Sequence, residues 1–344
     1  MNYNYIFISS MQSDLEIRLN DLNKTDYSMH LRHSLNNQKP RNIFLSFLYK
    51  IHTSNKINNI INLPFQQIWN QYWLFDVDKK PTFKNSKRLC FIIYARYFDA
   101  LNDTRRKLLI DHLRINYLFC KIVLYLGDLL TTHCFDITIY RQNFDAIFTF
   151  DKNDALYNNF IYYDDEPFSF YEIKRNQLLP ESDIVFIGRA KNRLKEIIKI
   201  FELLQENNIT CDFNIIDVPL SQQKYVDKIK YCENMPYSKL LEHVVSSKCI
   251  LEVLQHGGSS PTTRVAEAIC YGKKLLSNCH EIKTKPYYNP KFISLFSNPE
   301  DIDIEFLKRD IGNINYNYIQ NFSPLRFIEF VDKQLTKNYI KNSK

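Results

Sequence analysis

Long apolar runs are missing from this chain of 344 residues. No run reaches the roughly 18–20 residues that span a bilayer. The first sixteen residues, MNYNYIFISSMQSDLE, lack a basic region, a long apolar core and a small-residue cleavage site. They are therefore expected to form a first strand, not a signal peptide. Its eight cysteines stand singly, with no CxxC pair, and His133-Cys134 has no partner motif. Neither a zinc site nor a disulfide framework is indicated, and reduced thiols in a cytoplasmic protein are the expectation. Helix-turn-helix, zinc-finger and RNA-binding signatures are also missing, so nucleic acid is not an expected partner. There is no internal repeat and no low-complexity tract. Glycine is scarce, at six residues, two of them adjacent at 257–258.

What is present is an ordinary apolar share of 45% and a formal net charge of +7, with basic clusters at Lys79-Lys80, at 105–107 and at 189–195. Such an excess suits an anionic small substrate or a peripheral contact with the anionic inner face of a cytoplasmic membrane. The length admits two full-sized cores.

The second half alternates strand and helix patterns. Strands are expected at 183–187, 212–216, 249–254, 274–277 and 292–296. Helices are expected at 192–207, 237–245, 261–271, 299–308 and 324–337. In the first half, strands are expected at 5–9, 89–94, 121–126, 146–150 and 160–163, and helices at 103–117 and 153–157. Residues 43–51 fit either element, and 10–42 and 52–88 carry little periodicity. Repeats of this kind build parallel sheets covered on both faces. The charged, proline-containing segment 164–183 is the linker candidate. The expected domains are 1–170, 171–322, and a C-terminal helix in 323–344 that packs back on the first domain.

The stretch 248–277, KCILEVLQHGGSSPTTRVAEAICYGKKLLS, carries the most chemistry. A buried strand leads to a glycine turn and then a helix whose N-cap is expected at Ser259 or Ser260, with Pro261 in its first turn. A helix start of this kind offers free N–H groups and a positive dipole end to an anion. Gly258, Ser259, Ser260, Thr262, Thr263 and Arg264 supply donors. Glu267, three residues after Arg264, is placed to accept from the two hydroxyls of a ribose. Phosphate donors followed one turn later by a diol acceptor describe a nucleoside-diphosphate site. The plain alternative is a capped connection with surface Arg and Glu. Glu252, inside an apolar strand, needs a partner and is expected to orient a lysine or arginine.

The order DIVFIGRAKNR, YCENMPYSKLLEHVVSSKCILEVLQ, GGSSPTTRVAEAICYGKKLLS resembles the donor domain of GT-B-fold glycosyltransferases from bacterial surface-polysaccharide clusters. The segment FDAIFTFDKNDALYNNFIYYDDEPFS resembles the end of their acceptor domain. The resemblance covers roughly residues 89–300. It implies an α/β fold of two Rossmann-like domains facing a central cleft. It implies a UDP- or GDP-linked sugar donor and transfer to a glycan or lipid-linked acceptor of capsule or lipopolysaccharide type. It implies no cofactor and no required metal, because cations and a helix N-terminus hold the leaving diphosphate. Asp164-Asp165, in the linker candidate, reads as a solvated charge run.

By the same resemblance, Gly188, Arg189, Lys191 and Arg193 form a phosphate-facing loop, with Arg189 stabilising charge on the leaving group. Asn234 and Tyr237 lie in the base-contacting segment, and His256 is placed to touch the sugar or a phosphate. Many retaining members carry a glutamate eight residues before the one matched by Glu267; here Ser259 stands there. An inverting reaction would draw its base from the first domain, among Asp99, Asp103, Asp128 and His133, with Asp128 chosen for its place after a strand. A non-hydrolysing nucleotide-sugar epimerase and a catalytically inactive nucleotide-sugar-binding subunit fit the same residues.

Overall fold

The structure is a computed structural model that describes residues 1–10, 13–33, 40, 42–54, 57, 60–61, 63–69, 83, 87–174 and 179–342. Lys79-Lys80 and part of the linker candidate, 175–178, lie outside the described residues. The chain divides into two compact units. One comprises Met1–Gln12, Asn20–Thr149 and Ile328–Lys344; the other comprises Ser13–Leu19 and Phe150–Phe327.

In the first unit, β1 (Tyr3–Ser9), β2 (Ser28–Arg32), β3 (Arg88–Tyr94), β4 (Lys121–Leu126) and β5 (Ala146–Thr149) lie in the order β2-β1-β3-β4-β5. All of these pairs are parallel. β1 is buried along its whole length, which parallel pairing on both edges demands. The C-terminal helix Pro324–Asn342 runs into this unit, where Asp332 accepts from the Asn2 N–H at 2.7 Å and from Tyr5 Oη at 2.5 Å. β2 was not legible in SMHLR, whose polar residues hide the burial of Ser28, His30 and Leu31. The ambiguous segment 43–51 is helical, spanning Ile43–Thr53 with Asn42 as its cap.

The second unit carries the short β6 (Ile161–Tyr162) and then β7 (Ser182–Arg189), β8 (Cys211–Ile216), β9 (Lys230–Cys232), β10 (Ser247–Glu252), β11 (Lys274–Ser277) and β12 (Ile293–Leu295). The last six form a sheet in the order β12-β11-β10-β7-β8-β9, every printed pair parallel. Counted from β7 this is 6-5-4-1-2-3, the doubly wound order in which the chain reverses direction between β7 and β10. The helix Leu194–Glu206 buries Ile197, Ile198, Phe201 and Leu204 on one face of the sheet, and Thr263–Cys270 buries Val265, Ala268 and Ile269 on the other. Two Rossmann-like parallel units are the components that a GT-B fold requires.

Several elements differ from expectation. β7 runs on through Gly188 and Arg189, which pair with Ile215 and Ile216, so the phosphate-facing segment begins inside the strand. The segment expected as one helix at 299–308 is a 3-10 turn, Pro299–Asp301, followed by a short helix, Ile304–Lys308. β9 was missed because three residues are too few for a period to register.

Candidate functional site

Doubly wound sheets bind ligands outside the strand C-termini, at the point where strand order reverses. In the second unit that point is the gap between the ends of β7 and β10. Arg193 bridges it. Its Nη2 donates to the Arg189 carbonyl at 3.2 Å and its Nη1 donates to the Val253 carbonyl. Its guanidinium carbon stands 5.8 Å from the Phe186 ring centroid. The Nε is buried with no hydrogen-bond partner among the described residues. Burial first, and then the charge of Arg264, push this guanidinium down to about 10. Arg193 thus remains a cation at neutral pH, held beside a second cation with a donor left over. Glu252 and Glu196 pull the other way without restoring its ordinary value, so an anion beside Arg193 would be favoured.

Arg264 comes from the helix start after β10. The cap is Thr262, not Ser259 or Ser260: its Oγ1 accepts from the Arg264 N–H at 3.3 Å, and the helix spans Thr263–Cys270. The serines are drawn away by another element. Ser259 donates its N–H and its hydroxyl to Asp151 Oδ2, both at 2.9 Å, and Ser260 Oγ accepts from the Lys152 N–H at 3.0 Å. Asp151 in turn caps the helix Lys152–Asn158 through its other oxygen. Thr262 gives its N–H and hydroxyl to Glu252 at 2.8 and 2.6 Å. Two N–H groups expected to be free for a ligand, those of Ser259 and Thr262, are therefore already engaged by carboxylates. Gly257 (φ 90°) makes the turn, closed by the Gly258 N–H donating to the Gln255 carbonyl at 3.0 Å.

Beneath this turn lie three buried carboxylates. Glu252 also accepts from Ser277 Oγ at 2.6 Å, and its hydrogen bonds come from hydroxyls and an N–H in place of the expected lysine or arginine. Glu267 is 0% exposed; it takes the Arg264 guanidinium and the Tyr237 hydroxyl, the latter at 2.7 Å. Burial, the largest influence, raises its carboxyl above the ordinary range against the pull of Arg264. Glu166 accepts from Thr263 Oγ1 at 2.6 Å and pairs with Arg18. Arg18 ends the helix Ser13–Arg18, part of the second unit, and its charge also acts on Glu267 and Tyr237.

The structure thus brings Gly188, Arg193, Ser259, Ser260, Thr262, Thr263, Arg264, Glu267 and Tyr237 into one region. Tyr237 and Glu267 face each other in the interior, so they hold Arg264 and do not project outward. His256 is exposed, its N–H donating to Asn192 Oδ1 at 3.2 Å. Asn234 is exposed in the loop after β9. Arg189 forms an ion pair with Asp217; with exposed Lys191 they help line a cavity of about 280 Å³ beyond the ends of β7 and β8. Arg18, Glu166 and Asp151 were missed. Asp151 announces itself as a cap before a helix, but nothing in the sequence shows its second oxygen reaching Ser259.

In the first unit, Asp128 follows β4 and accepts from Arg96 Nε at 2.9 Å. Asp99 accepts from His133 Nδ1 at 2.7 Å and from the Cys134 N–H at 2.9 Å. Burial raises the Asp99 carboxyl, and the bonds from His133 and Cys134 outweigh it, leaving it below its ordinary value. Asp103 is engaged by Tyr140 and Arg106. Among the described residues no group of three or more His, Cys, Asp or Glu is arranged to hold a metal ion, and no helix is long and apolar enough to cross a membrane.

No protein-family model matches the chain, and no curated protein sequence matches it. Solved structures do. The UDP-GlcNAc 2-epimerase of Methanocaldococcus jannaschii is 14% identical, with 96% of this chain and 99% of that one covered and a TM-score of 0.46. The corresponding epimerase of Neisseria meningitidis is 13% identical, with 95% and 99% covered and a TM-score of 0.46. The spinosyn forosaminyltransferase SpnP is 11% identical, with 98% and 100% covered and a TM-score of 0.43.

Proposed function

We propose that the chain is a glycosyltransferase that moves a sugar from a nucleoside-diphosphate sugar to a hydroxyl of a surface-glycan acceptor of capsule, lipopolysaccharide or exopolysaccharide type. The observation that carries this reading is the Arg193–Arg264 pair at the β7–β10 reversal, one member with a buried, unsatisfied Nε. A diphosphate laid across the gap would meet the outer edges of the two guanidiniums and relieve the repulsion between them. As the bond to the sugar breaks, negative charge grows on the phosphate oxygen between them, and fixed cations stabilise that charge more than they stabilise the bound donor. Glu267, Tyr237 and Glu252 hold Arg264 and the helix start in place, so the cations need not reorganise during the reaction. Arg189 and Lys191, which line the neighbouring cavity, offer further cations for the rest of the donor.

The reading has no step that calls on a metal ion, so turnover should persist in EDTA. The test incubates the full chain with candidate nucleotide sugars, with and without a lipid-linked glycan acceptor, and follows the sugar by NMR. Acceptor-dependent release of the nucleoside diphosphate supports transfer. Conversion of the donor to its epimer with no acceptor present would replace transfer by epimerisation. Tight binding with neither reaction would make the chain a nucleotide-sugar-binding subunit.

A further inference from the structure

The first unit carries an apolar surface that the donor site does not use. The helix Ile43–Thr53 is pinned from one side by Tyr49, whose ring meets Trp69 edge-on at 5.7 Å, with His52 at 5.6 Å from the same indole. Its outer side is apolar where a surface helix is normally charged. Ile43 is 89% exposed, Phe44 67% and Phe47 59%. Spaced three and four apart, they share one face, and exposed Lys50 continues it one turn on. The following residues add exposed Ile60, Ile61, Phe65 and Ile68. A row of such side chains on one helix face, unlike apolar residues scattered singly, marks a contact surface.

Charge says what covers them. Residues 27–75 contain no aspartate or glutamate, although the whole chain has 38. The same stretch contains five cations: Arg32, Lys39, Arg41, Lys50 and Lys56. An acid-free, cation-bearing run with exposed Phe and Ile in it is complementary to a surface that is anionic outside and apolar beneath. We propose that the helix Ile43–Thr53, with exposed Ile60, Ile61, Phe65 and Ile68, forms a membrane-docking surface, which seats Ile43, Phe44 and Phe47 among the acyl chains of an anionic bilayer while Lys50 stays at its headgroups. This rests on the first unit alone and does not depend on the donor-site reading.

The test is flotation of the full chain with vesicles of phosphatidylcholine alone and with phosphatidylglycerol added, at low and high salt. Wild type should float with the anionic vesicles, and less so at high salt, where surface charge is screened. Phe44→Asp/Phe47→Asp should lower the bound fraction about tenfold or more, since apolar contact supplies much of the affinity. Lys50→Glu should weaken binding at low salt only. Leu118→Asp, at another exposed apolar side chain outside the acid-free stretch, should bind as wild type. Circular dichroism of each variant checks that the fold is kept. Failure of wild type to float, or equal flotation of Phe44→Asp/Phe47→Asp, would overturn the proposal. So would a dimer that this variant turns into a monomer, which would give the surface to a second copy.

Discussion

Arg264 and Arg193 look alike in the sequence and are opposite in energetics. Arg264 neutralises Glu267, which has no exposure to water. Arg264→Ala leaves that carboxylate buried and unpaired, and should cost about 3–5 kcal/mol of stability. The double variant Arg264→Ala/Glu267→Gln should recover much of the loss, as a denaturation cycle on the four proteins would record. Arg193 is the strained partner, because burial and Arg264 both disfavour its charge. Arg193→Met should therefore cost much less stability than Arg264→Ala while weakening nucleotide binding about tenfold or more, a split that functional sites commonly display. The sequence could mark both as candidate phosphate cations, but it could not tell which one is satisfied. That distinction rests on burial, which turns Glu267 inward onto Arg264 and leaves the Arg193 Nε without a partner among the described residues.

A second residue-scale prediction concerns Asp165. Burial, the largest influence, raises its carboxyl to about 6 from 3.8, and its Oδ1 is buried without a hydrogen-bond partner. A carboxyl raised in the folded state binds its proton more tightly there than in the unfolded chain. Its contribution is fully present below pH 3.8 and is lost as pH rises to about 6. Asp165→Asn should abolish that decline and raise the unfolding midpoint at neutral pH, which thermal scans across this range would register. A wild-type midpoint that loses nothing to Asp165 over the same interval would contradict it.

At the scale of elements, long periodic segments were legible and short ones were not. Tyr237–Val245 and Lys121–Leu126 match their expected bounds because an apolar face or run defines them. β2 and β9 have five and three residues, with polar side chains at buried or half-buried positions, so no pattern marks them. The stop of the site helix was legible from Gly272. Its φ is 59°, its N–H bonds to the Ile269 carbonyl at 3.4 Å, and the Lys273 N–H bonds to the Ala268 carbonyl at 2.8 Å. A Cβ there would stand 2.9 Å from the Ile314 carbonyl oxygen. Gly272→Ala should cost at least about 1–3 kcal/mol from the left-handed backbone alone. The start of the same helix was misplaced because Asp151, more than a hundred residues earlier, claims the serines.

At the scale of the whole molecule, the second unit is not a continuous piece of chain. Residues 13–19 belong to it, and through them Arg18 balances the buried Glu166. A fragment of residues 150–327 should therefore be less stable than the same unit in the full chain, and a peptide of residues 13–19 added in trans should raise its unfolding midpoint. Two α/β units with parallel sheets could be read from alternating patterns, whereas this exchange of a short segment could not, since SDLEIR is a single turn and a half of helix with no signal of where it packs. The central claim, a diphosphate held across the β7–β10 reversal, is tested most directly by titration calorimetry of the full chain in EDTA with UDP, GDP, ADP and CMP, repeated on Arg193→Met. The account predicts that one nucleoside diphosphate binds wild type and that its affinity falls about tenfold or more in the variant, the loss of one charge-assisted contact. Binding of none of the four, or equal affinity in Arg193→Met, would contradict it.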